Sequence, residues 1–140
     1  MFNHILLATD NMKQGKLAAR TAGETARQMH SATLCIVVTY PPVPGFLGIL
    51  ESEKRIAARL SRAEVLAESL LQEVGVIPGE TQLEILEGPL SEAVATVSQV
   101  RGSDLIVMNS KQPRPLERLT EWFHNCQVVA HRRCPVMTLQ

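Results

Sequence analysis

No stretch of this sequence is long and apolar enough to cross a bilayer. The longest unbroken apolar run, Leu34-Cys35-Ile36-Val37-Val38, is far short of the ~18 residues that a span needs. Charge of one sign is missing too: fourteen Lys and Arg balance fourteen Asp and Glu, and the pI is near 6.9. Without a net field, neither nucleic acid nor an acidic membrane is an expected partner. Cysteines number only three (Cys35, Cys126, Cys134), with no C-x-x-C pair. The first ten residues lack the basic flank of a signal peptide and reach an acid at Asp10. An odd cysteine count without a secretion signal reads as reduced thiols, so a cytoplasmic location is expected.

What is present is ordinary globular material, 45% hydrophobic and 20% charged. At 140 residues it is enough for one domain, residues 1–140, that folds without metal or disulfide staples. Short β-rich runs alternate with longer helical ones. Ile5-Leu6-Leu7-Ala8, the run from Leu34 to Val38, and Leu105-Ile106-Val107-Met108 are continuously apolar, as strands covered on both faces should be. Leu83-Glu84-Ile85-Leu86 alternates in part, and a final strand follows Pro135.

Between them lie helical stripes. Ala18, Ala22, Ala26 and Met29 make a small-residue face on the first. Ile56, Leu60, Ala63, Ala67, Leu70 and Val74 mark the second, and Leu90, Ala93, Val94, Val97 and Val100 the third. Gly102 stands where a left-handed terminator of that third helix belongs. A fourth is expected from about 116 to 131, with Leu119, Phe123, Cys126 and Ala130 inward. Strand and helix four times over, then a last strand, predicts an α/β fold: a five-stranded parallel sheet sandwiched by four helices. In such sheets ligands bind beyond the carboxyl ends of the strands, at the switch point. That directs attention to Thr9-Asp10-Asn11, Thr39-Tyr40, Gly88 and residues 109–112.

The runs Ile5-Leu6-Leu7-Ala8-Thr9-Asp10, Gly88-Pro89-Leu90, Ser103-Asp104-Leu105-Ile106-Val107-Met108 and His131-Arg132-Arg133-Cys134-Pro135-Val136 carry a family likeness. Together, in this order and over essentially the whole chain, they resemble a universal stress protein domain. The resemblance implies a Rossmann-like sheet of order 3-2-1-4-5. It also implies a homodimer joined through the last strand, here Val136, Met137, Thr138 and Leu139. The family contains members that bind ATP and members that do not. The binders carry, after the fourth strand, Gly, two residues, Gly, nine residues, then Gly with Ser or Thr. Such glycines let backbone N–H groups approach and cradle phosphate oxygens.

This chain departs from that pattern. Counted back from Cys134-Pro135, the motif positions hold Asn109, Gln112, Trp122 and Phe123, and no glycine follows Gly102. Pro113 and Pro115 remove two further N–H donors. The residues that match a vestigial nucleotide pocket are Asp10, at the acid position ending strand one, Val38, near the adenine end, Gly88 and Asn109. Asp10 also reads, and more simply, as the N-cap of the first helix, where Asp and Asn are generally preferred. Lys111, Arg114, Arg118, Arg132 and Arg133 read as a substitute anion site or as a solvated basic surface. Trp122 and Phe123 read as a plug in the vacated pocket.

The four histidines never fall four apart, and Ser91 and Ser110 lack a nucleophile elbow, so neither a metal site nor hydrolase chemistry is indicated. The expectation is a non-ATP-binding universal stress protein without cofactor or catalysis, acting through protein association. The alternative is a switch, or slow hydrolase, that binds AMP or ATP through Asp10 and the basic loop Lys111/Arg114/Arg118.

Overall fold

The computed structural model describes residues 2–9, 12–30, 32–40, 49–109 and 135–138. Its elements run β1 (His4–Thr9), α1 (Met12–Gln28), β2 (Thr33–Tyr40), α2 (Ile49–Val74), β3 (Thr81–Glu87), α3 (Leu90–Arg101), β4 (Leu105–Asn109) and β5 (Val136–Thr138). All four strand pairings are parallel, and the order is β3-β2-β1-β4-β5. This is the architecture expected from the alternation of runs, with three helices among the described residues. The fourth helix, over 116–131, and the Pro-rich stretch 41–48 lie outside them.

Alternate residues of the central strands feed two separate cores. Ile5, Leu7, Leu34, Ile36, Val38, Leu105 and Val107 face α1 and α2. Leu6, Ala8, Cys35, Val37, Ile106 and Met108 face α3. Being apolar in both sets, these strands show no alternation in the sequence, which is why they read as continuous runs. β3 lies at the sheet edge and none of its residues is wholly buried, so polar residues such as Gln82 and Glu84 are tolerated among its apolar ones.

The stripes hold for most of their length. Ala18, Ala22 and Ala26 are fully buried, with Met29 packed beside them just past the end of α1. Ala63, Ala67, Leu70 and Val74 bury the C-terminal half of α2. Two positions depart. Ile56 is 39% exposed, and the buried face of α2 begins at Ala63. Val100 is 79% exposed, because α3 is rolled so that Ala95 and Ser98 bury instead. Gly102 ends α3 as expected, at φ 67° and ψ 44°, with the Ser103 N–H returning to the Ser98 carbonyl at 2.9 Å.

Helix α1 owes its position to two glycines. At Gly23 a Cβ would stand 2.5 Å from the Val74 carbonyl oxygen. At Gly15 it would stand 2.8 Å from the Thr9 side chain. A backbone oxygen cannot step aside as a side-chain tip can. In Gly23→Ala the overpacking, about 1–3 kcal/mol, should therefore exceed the ~1 kcal/mol that alanine gains in helix propensity. Urea denaturation should show a lowered midpoint for Gly23→Ala.

Candidate functional site

The chain leaves β1 to form β2 and then β3 on one side, and crosses back through α3 to place β4 on the other. β1 and β4 are therefore neighbours whose connections depart in opposite directions, and the crevice of a doubly wound sheet opens at their carboxyl ends. The register sets the floor of that crevice. Val38, Thr9 and Asn109 lie level with one another on β2, β1 and β4. With strands ~4.8 Å apart, they line up across about 10 Å.

Of the four residues proposed from the sequence, the structure brings Val38 and Asn109 to this level. Val38 stands two residues before the end of β2, with its side chain wholly buried on the α1/α2 face. Asn109 is the last residue of β4. Gly88 is farther out. Its neighbour β3 aligns Ile85 with Val38, so Gly88 lies three residues beyond that level and one strand away. It adopts φ 120°, a conformation that favours glycine, and its N–H donates to the Tyr40 carbonyl at 2.9 Å. Among the described residues, its chain neighbours aside, no atom lies within 4 Å of where its Cβ would stand, and the positive φ is what favours glycine there. Asp10 lies outside the described residues, as do Lys111, Arg114, Arg118, Trp122 and Phe123.

Thr9 and Gly15 were not singled out as a pair in the sequence, yet together they close the floor. Thr9 is fully buried, and Gly15 lets the first turns of α1 come down on its side chain. A glycine inside an otherwise helical segment was the available signal, since it costs ~1 kcal/mol relative to alanine and calls for a packing reason.

The opposite, amino end of the sheet holds the polar cluster. The Asp104 carboxylate accepts from the N–H groups of Asn3 at 2.7 Å and His4 at 2.9 Å, and the Asp104 N–H donates to the His4 carbonyl at 2.9 Å. His4 Nδ1 bonds Ser103 Oγ at 2.9 Å. Arg101 donates to Gln82 Oε1 and pairs with Glu84, which joins the end of α3 to edge strand β3. Ser103-Asp104, part of the family likeness, thus serves as a structural clasp. Below it, burial pushes the Cys35 thiol up to about 11, with Arg101 opposing and Glu84 reinforcing the shift. Among the described residues no three His, Cys, Asp or Glu converge as a metal site, and no helix is long and apolar enough to cross a membrane.

Comparison with known proteins agrees with the fold. Residues 1–140 match the Universal stress protein family. The chain belongs to that family. It is 36% identical over 140 residues to the "Universal stress protein in QAH/OAS sulfhydrylase 3′region" of Thermus aquaticus, covering all of both chains. Among solved structures it resembles universal stress protein UspA from Lactobacillus plantarum (TM-score 0.73, 18% identity, covering 99% of this chain and 97% of that one). It also resembles the Archaeoglobus fulgidus universal stress protein in complex with dAMP (TM-score 0.62, 10% identity, 100% and 98% covered). A further neighbour is a universal stress protein in complex with cAMP (TM-score 0.56, 18% identity, 99% and 97% covered). At these identities the solved structures establish the fold.

A buried thiol held protonated is a poor nucleophile. Iodoacetamide at about pH 8 should leave Cys35 unmodified in the native protein and label it in denaturant, as read by peptide mass mapping.

Proposed function

We propose that this universal stress protein does not hold ATP in a glycine cradle and acts as a homodimeric interaction protein without catalysis. The observation that carries the reading is the composition of the chain after β4. The strand delivers Asn109 to the switch point beside Thr9, and the residues that continue from there contain no glycine. Pro113 and Pro115 cannot donate, and Trp122 and Phe123 stand where the ATP-binding pattern has its last glycine and hydroxyl. A triphosphate needs several converging N–H donors, and this stretch is poor in the residues that supply them.

The dimer reading rests on β5. It occupies one edge of the sheet, and its Met137 is 37% exposed. An apolar strand edge of this kind favours pairing with a second copy across a two-fold axis.

A second reading has its own support. Two structural neighbours are complexes with cAMP and dAMP, ligands with a single phosphate that need no triphosphate cradle. In that reading Asp10, Val38 and Asn109 form an adenosine half-site, and Lys111, Arg114 or Arg118 meets the phosphate through its side chain.

Calorimetry of nucleotide-stripped protein with ATP, ADP, AMP, cAMP and adenosine separates the two. The expected result is no ATP binding tighter than about 100 μM, roughly −5.5 kcal/mol. Tighter ATP binding that is lost in Asp10→Ala would overturn the first reading. Monophosphate binding without ATP binding would establish the half-site. Light scattering should give the mass of a dimer, and Met137→Arg should lower it to that of a monomer.

A further inference from the structure

The cluster at the amino end of the sheet is built around a ring nitrogen without a partner. His4 Nδ1 is bonded to Ser103 Oγ, while Nε2 is buried with no hydrogen-bond partner among the described residues. Protonation makes both ring nitrogens donors, and a buried N–H without an acceptor is costly. The Gln82 side chain is a group able to accept: β3 sets it beside Cys35, whose partner on β1 is Leu6, two residues from His4. Its influence favours the charged ring, although no hydrogen bond joins it to Nε2. Gln82 Oε1 is already taken by Arg101 Nη1.

That bond and the Arg101–Glu84 pair tie the C-terminus of α3 to β3. We propose that His4 is an acid-responsive latch: its protonation draws Gln82 from Arg101, repels the guanidinium, and loosens the end of α3 from edge strand β3.

The groups around His4 support this direction. From α3 comes Arg101, a second positive charge. From the turn into β4 come Ser103, bonded to the ring, and Asp104, whose charge favours the protonated form but whose oxygens are engaged by the backbone of residues 3 and 4. From β3 come Gln82 and Glu84, with Glu80 acting on Arg101, and β2 contributes the protonated Cys35. Burial first, then Arg101, hold the imidazole below its usual 6.5, with Asp104 and Gln82 opposing. Since the folded value is depressed, the unfolded chain takes the proton first as pH falls. The stability contributed by neutral His4 is complete above about 6.5 and is lost on descent through that value toward the folded one.

The test is an NMR titration of the whole chain from about pH 8 to about pH 5. It follows the His4 ring carbons and the Arg101 side-chain N–H signals. The latch requires that His4 titrate below 6.5 and that the Arg101 signals shift with the same midpoint. It also requires that Arg101→Met raise the His4 midpoint and that His4→Gln abolish the Arg101 response. A His4 midpoint at or above 6.5, or Arg101 signals that ignore the His4 transition, would overturn the proposal. Should His4→Gln fail to fold, the unsubstituted chain and Arg101→Met decide the matter alone.

Discussion

The seating of α1 governs much else in this molecule. It lies on β1 and against the end of α2, and it can lie there only because Gly15, Ala18, Ala22, Gly23 and Ala26 present almost no side chain. A larger residue at Gly23 would meet backbone rather than a yielding side chain. The approach fixes where Thr9 is covered, and with it the level at which β1 ends beside β2 and β4. The geometry of the carboxyl-end crevice is therefore tied to helix packing that runs along the α1/α2 face of the sheet.

The fold was legible because its strands are buried twice over. Ile5 to Ala8, Leu34 to Val38 and Leu105 to Met108 had to be apolar at every position, and the helices between them had to be amphipathic. What the stripes could not convey was the roll of a helix about its axis. α3 turns Ala95 inward and Val100 outward, and Arg101 at its end reaches Gln82 and Glu84 on the edge strand. The register that sets Val38 and Asn109 level with Thr9 is a tertiary property, as is the greater distance to Gly88. The family likeness identified the positions, but only pairing shows which of them lie together. Asp10 and the basic stretch after β4 fall outside the described residues, so their share of the site rests on sequence.

The two ends of the sheet divide the chemistry. At the carboxyl end the described residues offer a level of Val38, Thr9 and Asn109, with the side chains of the first two buried. At the amino end Asp104, Ser103, His4, Arg101, Gln82 and Glu84 form a connected set of charges and hydrogen bonds. Such an arrangement leaves the carboxyl end free to vary while the fold is held from the other side. The Ser-Asp pair that helps identify the family belongs to this holding end, so its presence says nothing about nucleotide binding.

The charges along β3 also bear on how copies of the chain can meet. A strand approaching that edge would encounter Glu80, Glu84 and Glu87, and pairing there would take the Glu84–Arg101 ion pair away from water. Continuation of the sheet from β3 into a neighbouring molecule is thus penalised. The two edges of the sheet therefore differ: the β3 edge carries charges that disfavour the addition of a strand, while β5 carries Met137 half-exposed.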